Sequence, residues 1–266
     1  MEKFYIQTLG MVVTEECNMN CRHCLRGEKS NHKMTDEVIE GTLSQVDAIG
    51  NLAICGGEPT LAVDVIGKIF DTAIKKRIII DRVSAIINGL YYSKDFLEQF
   101  EYIENYLDII SRYPNEVHAT FNISSDDYHL EEVKKYNLTD RYYQNIDMYK
   151  RSPHFGQLQG ILTGLISEGN AKNLDGKDIK KFVPARLYST NINGMINVGT
   201  LVTIDTYGNI TECDASIDEQ QGKYRYGNVL EDSLMEVCLK RSKRINKDDW
   251  YKRVWNVLIF YEICKK

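Results

Sequence analysis

Four short apolar runs, each closed by a polar or glycine-rich cluster, constrain this chain more than any other feature of its sequence. Residues 8–14 read as a buried strand. A polar loop follows, and Thr35 caps a helix expected to reach Ile49, with Val38, Ile39, Thr42, Val46 and Ile49 on one face. Residues 51–55 form a second strand, stopped by Gly56-Gly57-Glu58-Pro59. Residues 63–76 form a helix with Ile66, Ile69, Phe70 and Ala73 inward. Residues 82–87 are a third strand, ended by Asn88-Gly89, and Ser93 caps a helix striped with Phe96, Leu97, Phe100, Ile103, Leu107 and Ile110. Residues 117–123 are a fourth strand, followed by Ser124-Ser125-Asp126-Asp127-Tyr128-His129. Strands alternating with helices of this length imply βαβ units and a parallel sheet. The polar clusters then share the C-terminal rim of that sheet, where α/β proteins build their sites.

The first strand runs into Cys17-Asn18-Met19-Asn20-Cys21-Arg22-His23-Cys24. Three thiolates on one short loop can each take one iron of a [4Fe–4S] cluster. The fourth iron then stays open to a ligand, unlike in the usual four-cysteine ferredoxin patterns. Two other readings stand beside this one. Zinc could take Cys17, Cys21, Cys24 and His23, although His23 and Cys24 are adjacent and neighbours rarely both reach a tetrahedral metal. Cysteines are also often buried as small apolar residues, but the Asn, Arg and His between these three do not suit a core.

The 266 residues suffice for one large α/β domain, or a barrel with a small appendage. Net charge is −5, and Lys and Arg are scattered, so no nucleic-acid partner is expected. The densest basic run, from Lys240 to Arg244, reads as a solvated helix face. Seven cysteines without a targeting signal or membrane-length apolar run fit a reducing cytosol, where clustered cysteines are more often ligands than disulfides. The expected location is cytoplasmic, with no membrane partner.

Beyond residue 150 the pattern weakens. Residues 157–166 read as a fifth strand with a turn, and 167–174 as a loop. Residues 199–205 and 209–213, joined by Thr206-Tyr207-Gly208, read as a β-hairpin. Gly227-Asn228-Val229 leads to a helix over about 233–241.

The octet resembles the Cys-x3-Cys-x2-Cys signature of the radical S-adenosylmethionine (radical SAM) superfamily. Gly56-Gly57-Glu58-Pro59 resembles the family's GGEP motif, which hydrogen-bonds the methionyl amine of SAM; on its own it would read equally well as a tight turn. The resemblance implies that Cys17, Cys21 and Cys24 hold the cluster and that His23 lies near the adenine. It implies Asn88 near the methionyl carboxylate, and Ser124 and Asp126 on the ribose. By their residue types alone, Asn88-Gly89 would be a plain turn, and Ser124 and Asp126 a turn or helix cap. Glu168-Gly169-Asn170-Ala171 is similar to a Gly-Arg-Ala loop of peptide-modifying members, with Asn170 in place of the Arg. The hairpin and Gly227-Asn228-Val229 resemble the opening of the SPASM domain. After Cys213 only Cys238 and Cys264 remain, so a complete auxiliary cluster is not expected.

These resemblances imply an α/β fold, a partial (β/α)6 TIM-like barrel with a small C-terminal β-hairpin and helix extension. The expected division is residues 1–190 for the barrel and 191–266 for a SPASM-like extension. The first strand begins within ten residues of Met1, so no leader-binding domain is expected ahead of the barrel. The implied activity is reductive cleavage of SAM to a 5′-deoxyadenosyl radical that abstracts hydrogen from a substrate. That substrate is a peptide or protein side chain, as in maturases of ribosomal peptides, or alternatively a small molecule or nucleoside. The implied cofactors are a [4Fe–4S] cluster and SAM, with flavodoxin or ferredoxin as electron donor. From other classes, an iron–sulfur electron-transfer or redox-sensing protein would explain the cysteines but not the Gly56–Pro59 segment or Ser124 and Asp126, and a structural zinc module predicts a colourless protein.

Overall fold

The computed structural model describes residues 3–110, 116–160, 165–166, 170–171, 179–180, 186–212, 222 and 224–253. Strands β1 (Lys3–Val12), β2 (Ala48–Cys55), β3 (Ile79–Ile87), β4 (Ala119–Ser124) and β5 (Phe155–Gln159) pair in parallel in that order. Helices α1 (Asp36–Leu43), α2 (Val63–Lys76) and α3 (Lys94–Ile110) connect β1 to β4, and α4 (Asp127–Lys135) and α5 (Thr139–Tyr149) connect β4 to β5. Short strands β6 (Leu165–Ile166) and β7 (Ile179–Lys180) pair with each other.

The helices lie where their patterns place them. Val65, Ile66, Ile69, Phe70 and Ala73 of α2 are buried. So are Phe96, Phe100, Ile103 and Leu107 of α3, which starts on the Ser93 hydroxyl accepting the Phe96 amide at 3.1 Å. Phe96 and Phe100 meet Phe121 of β4 edge-on, with centroids 5.5 and 5.7 Å away. Each such side chain contributes roughly 1.5–3 kcal/mol on burial.

One expected boundary is corrected. The first helix ends at Leu43 rather than Ile49. Asp47 intervenes: its carboxylate accepts the Phe4 amide at 2.8 Å and its own amide donates to the Phe4 carbonyl at 2.9 Å. This docks the chain against β1, and Ile49 becomes a strand residue opposite Ile6. The basic run is likewise not one helix face: α6 (Leu234–Arg241) stops, and β12 (Lys243–Arg244) pairs with β8 (Tyr188–Ile192).

The later strands extend the same sheet. β9 (Met195–Ile204) lies parallel along β1, from Lys3 opposite Met195 to Met11 opposite Ile204. β8 pairs antiparallel with β9, and β10 (Asn209–Glu212) forms the expected hairpin with β9 and pairs in turn with β11 (Arg225–Asn228). Among the described residues the result is a ten-stranded sheet whose main path is β11-β10-β9-β1-β2-β3-β4-β5. Among the described residues β5 and β11 are its ends, so the barrel is partial and open. β8 carries this sheet across the expected division at positions 190 and 191. The sixth parallel strand stands beside β1, not β5. Cys213, Cys264, Glu168 and Gly169 lie outside the described residues.

Candidate active site

The cysteine loop is closed at its base. An antiparallel bridge joins Thr14 to Lys33, the Glu15 amide donates to the His32 carbonyl at 2.9 Å, and the Met34 amide to the Val13 carbonyl at 3.0 Å. Within it, the Cys24 amide turns back to the Cys21 carbonyl at 3.1 Å, and the Met19 amide points at Cys17 Sγ at 3.5 Å. All three cysteines are half-buried. Burial pushes the Cys17 thiol up, and burial together with neighbouring Cys24 and Cys17 pushes Cys21 up to about 12. Crowded thiols of this kind ionise when a metal takes their charge, so binding releases protons.

The Gly56-Gly57-Glu58-Pro59 segment supports this loop from below. The Gly57 amide donates to the Thr14 carbonyl at 2.7 Å and the Glu58 amide to the Glu16 carbonyl at 2.8 Å. A Cβ on Gly57 would lie 2.2 Å from the Glu16 carbonyl oxygen, and one on Gly56 2.9 Å from that of Thr14. These glycines therefore admit the backbone leading into Cys17. Glu58 is buried. One carboxylate oxygen accepts from the Thr60 amide (3.1 Å) and hydroxyl (2.7 Å), the other from the Asn88 amide at 2.8 Å. Burial raises its pKa to about 7. Pro59 is buried at the start of a short 3-10 turn, Pro59–Leu61.

Asn88, at the end of β3, joins these parts. Its side-chain amide donates to Asn18 Oδ1 at 2.6 Å and lies 3.9 Å from Cys17 Sγ. Its Oδ1 accepts the Leu90 amide, and its carbonyl meets His129 Nε2 at 2.9 Å.

The other side of the loop leans on α4. Arg22 pairs with Glu131 and lies over the Tyr128 ring. His23 packs on Tyr128 with centroids 5.4 Å apart, and its Nε2 is 3.4 Å from Asp126 Oδ1. Asp126 caps α4 by accepting the His129 amide at 2.9 Å. Burial alone would raise the Asp126 carboxyl; the bonds from His23 and the His129 amide outweigh it, and the pKa falls below the ordinary value. Ser124 closes β4, its carbonyl accepting from the Tyr142 hydroxyl at 2.5 Å.

Cys17 lines both a void of about 10 Å³ and an open cleft of about 830 Å³. The void holds no more than one water. The cleft, bounded by the cysteine loop, Tyr136, Leu138 and Asn170, has the size of small-molecule cofactor sites. His23 Nδ1 and Arg26 Nη1 are buried without a hydrogen-bond partner. No group of three or more His, Cys, Asp or Glu side chains among the described residues is arranged to hold a metal ion. A cubane asks for a different arrangement, because each thiolate takes a different iron. The loop thiols, the unpartnered polar atoms and the cleft fit a cluster with an attached nucleoside-like cofactor.

A sequence model of the Radical SAM superfamily matches residues 11–166. The chain belongs to the radical SAM superfamily. Among solved structures, it is similar to anSMEcpe with bound AdoMet at TM-score 0.50 and 15% identity, over 87% of this chain and 80% of that one. It is also similar to Streptococcus suis SuiB, solved with its precursor peptide SuiA, at TM-score 0.42 and 13% identity, over 88% of this chain and 64% of SuiB. No curated protein matches the sequence. The chain is thus a radical SAM enzyme, of a family that uses a [4Fe–4S] cluster and SAM, on an open α/β sheet. No helix among the described residues is long and apolar enough to cross a membrane.

Sequence reasoning missed two supports of the radical SAM loop. Asn170 donates from its amide to the Cys24 carbonyl at 2.9 Å and from Nδ2 to the Cys21 carbonyl at 3.0 Å. Glu15 is buried and bonded to Ser30 and Thr206. Only the Gly-Asn-Ala pattern signalled the first; nothing local signalled the second.

Proposed function

We propose that Cys17, Cys21 and Cys24 ligate the cluster, and that SAM occupies the cleft beside Cys17 with its nucleoside toward His23, Ser124 and Asp126. The observation that carries this reading is Asn88, which bonds at once to the Glu58 carboxylate and to the cysteine loop. When bound, the cluster and SAM supply reductive cleavage to a 5′-deoxyadenosyl radical. The protein's own residues hold and shield. Gly56 and Gly57 fix the entry to the cysteine loop. Glu58 and Asn88 lock two strand ends together. Asp126, ionised and facing the rim, accepts hydroxyl hydrogens without a proton of its own to give. Residues 1–190 form the catalytic part of this reading, and 191–266 an extension that completes it.

The proposed substrate is a peptide or protein side chain, and flavodoxin or ferredoxin the electron donor. Support for the peptide comes from the β9–β10 hairpin followed by Gly227-Asn228-Val229, which together resemble the start of a SPASM domain.

The test is anaerobic. Reconstituted enzyme with dithionite is expected to convert SAM to 5′-deoxyadenosine, faster when a short peptide encoded beside its gene is added, with a mass change in that peptide. No 5′-deoxyadenosine from iron-loaded enzyme would overturn the site assignment. Acceleration by nucleosides or small metabolites, and by no such peptide, would overturn the substrate class.

A further inference from the structure

The turn of the β9–β10 hairpin is built more rigidly than joining two strands requires. Asp205, 3% exposed, accepts the Tyr207 amide at 2.9 Å, the Asn209 amide at 2.8 Å and Asn209 Nδ2 at 2.8 Å. Asn228 Nδ2 donates to the Tyr207 carbonyl at 3.0 Å, and the Val229 amide to the Gly208 carbonyl at 2.8 Å. Gly208 takes a left-handed φ of 85°, and a Cβ there would press Asn228 and Val229 at 3.1 Å. The turn is thus set from three sides.

This fixed turn is directed at the cysteine loop. Thr206, fully buried, donates to Glu15 Oε1 at 3.2 Å. Ser30, on the far arm of the loop, donates to Glu15 Oε2 at 2.5 Å. Tyr207 stacks flat on His32, with centroids 4.1 Å apart and planes 7° apart. The Glu15 carboxylate, two residues before Cys17, is held by the hairpin on one oxygen and by the loop's other arm on the second. Packing alone is served more cheaply by apolar side chains, since a buried carboxylate costs free energy unless it is bonded. A bonded one sets direction as well as distance.

We propose that the 205–208 turn positions the cysteine loop, so that Thr206 and Tyr207 act on the cluster through Glu15 and His32. The inference rests on the cluster assignment above. In this chain the hairpin works as a mechanical support of the cluster held by the cysteine loop.

The test follows iron release to a chelator from reconstituted Thr206→Val, Thr206→Ser and Tyr207→Leu enzymes, with the EPR spectrum of the reduced SAM-bound cluster and the melting temperature of the cluster-free chain. Thr206→Val keeps the side chain's shape and removes its hydrogen bond. It is expected to release iron about fivefold faster with an altered EPR line shape, and Thr206→Ser to restore both. Tyr207→Leu removes the stack on His32 and the hydroxyl's hydrogen bond with Ser30 at an exposed position, and is expected to accelerate release without lowering the melting temperature. Wild-type release rates and spectra in both Thr206→Val and Tyr207→Leu overturn the proposal. So does faster release that Thr206→Ser fails to restore, which marks lost packing alone. Failure of the wild-type enzyme to hold iron would instead overturn the cluster assignment itself.

Discussion

The side-chain amide of Asn88 donates to Oδ1 of Asn18 across 2.6 Å, tying the end of the third strand to the residue that follows Cys17. Seventy positions separate the two in sequence. The same side chain holds the Leu90 amide, so removing it strands several polar groups at once. Asn88→Ala is expected to cost roughly 1–3 kcal/mol of folding free energy. An unchanged urea midpoint for the cluster-free chain would show that the tie carries no weight.

Gly57 and Gly160 make a matched pair. A methyl group at Gly57 would sit 2.2 Å from a backbone oxygen, while at Gly160 it would meet nothing within 4 Å. Gly57→Ala should destabilise the chain by about 1–3 kcal/mol or more and shift the entry to the cysteine loop. Gly160→Ala should fall within about 0.5 kcal/mol of wild type. Equal melting temperatures for the two variants would refute the close approach.

Glu58 predicts a pH dependence of known sign. Burial raises its folded-state pKa from 4.5 to about 7. The folded chain therefore binds this proton more tightly than the unfolded chain does. The resulting contribution, roughly 3 kcal/mol, is complete below the lower value and is lost as pH rises through the upper one. Urea titrations of the cluster-free chain should show wild type losing stability relative to Glu58→Gln between about pH 5 and 8. Parallel curves would mean that Glu58 does not titrate there.

The cap that Asp126 forms on α4 and the ribose contact proposed for it separate by substitution. As the cap of α4 it is replaced well by Asn, whereas Ala costs about 1 kcal/mol. In the proposed role, accepting from two ribose hydroxyls, it would be replaced well by neither. Asp126→Asn should keep its melting temperature and bind SAM roughly tenfold more weakly in equilibrium dialysis. Full affinity in Asp126→Asn would remove it from the SAM site.

Iron content separates the cysteines. Replacing Cys17, Cys21 and Cys24 together by Ala should abolish iron binding. Cys238 is 1% exposed on α6, where burial pushes its thiol up to about 12, so it suits the core better than a ligand role. Replacing Cys213, Cys238 and Cys264 together by Ser should leave about four irons per chain. A native content near eight, falling to four in that variant, would reveal a second cluster.

What the sequence shows is local, and what it hides is long-range. The α2 stripe from Val65 to Ala73, the Ser93 cap and the polar ends of β1 to β4 follow from spacing and residue type. Ile49 misled because an apolar residue six positions beyond Leu43 fits a helix face as well as a strand, and only Asp47 docking on Phe4 decides between them. The Asn170 tether reaches across 149 positions and the Thr206 bond across 191; the Gly-Asn-Ala pattern marks the first without naming its partner, and nothing local marks the second. The parallel partner of β1 escaped for the same reason: the β9 segment reads as half of a hairpin, and its other edge carries no mark.

That pairing governs the order in which the molecule can be made. β1 is an inner strand, with β2 on one side and β9 on the other. A ribosome delivers β9 nearly two hundred residues after β1, so the strand that leads into Cys17 waits through that interval with one edge bare. Contacts of such high sequence separation form slowly, and a bare apolar edge invites pairing with other chains. The cysteine loop gains its hairpin support only after that wait. Iron delivered to a chain that lacks β9 would meet three thiols on an unfinished scaffold, so maturation of the cluster belongs after β9 and its hairpin have folded onto the first strand.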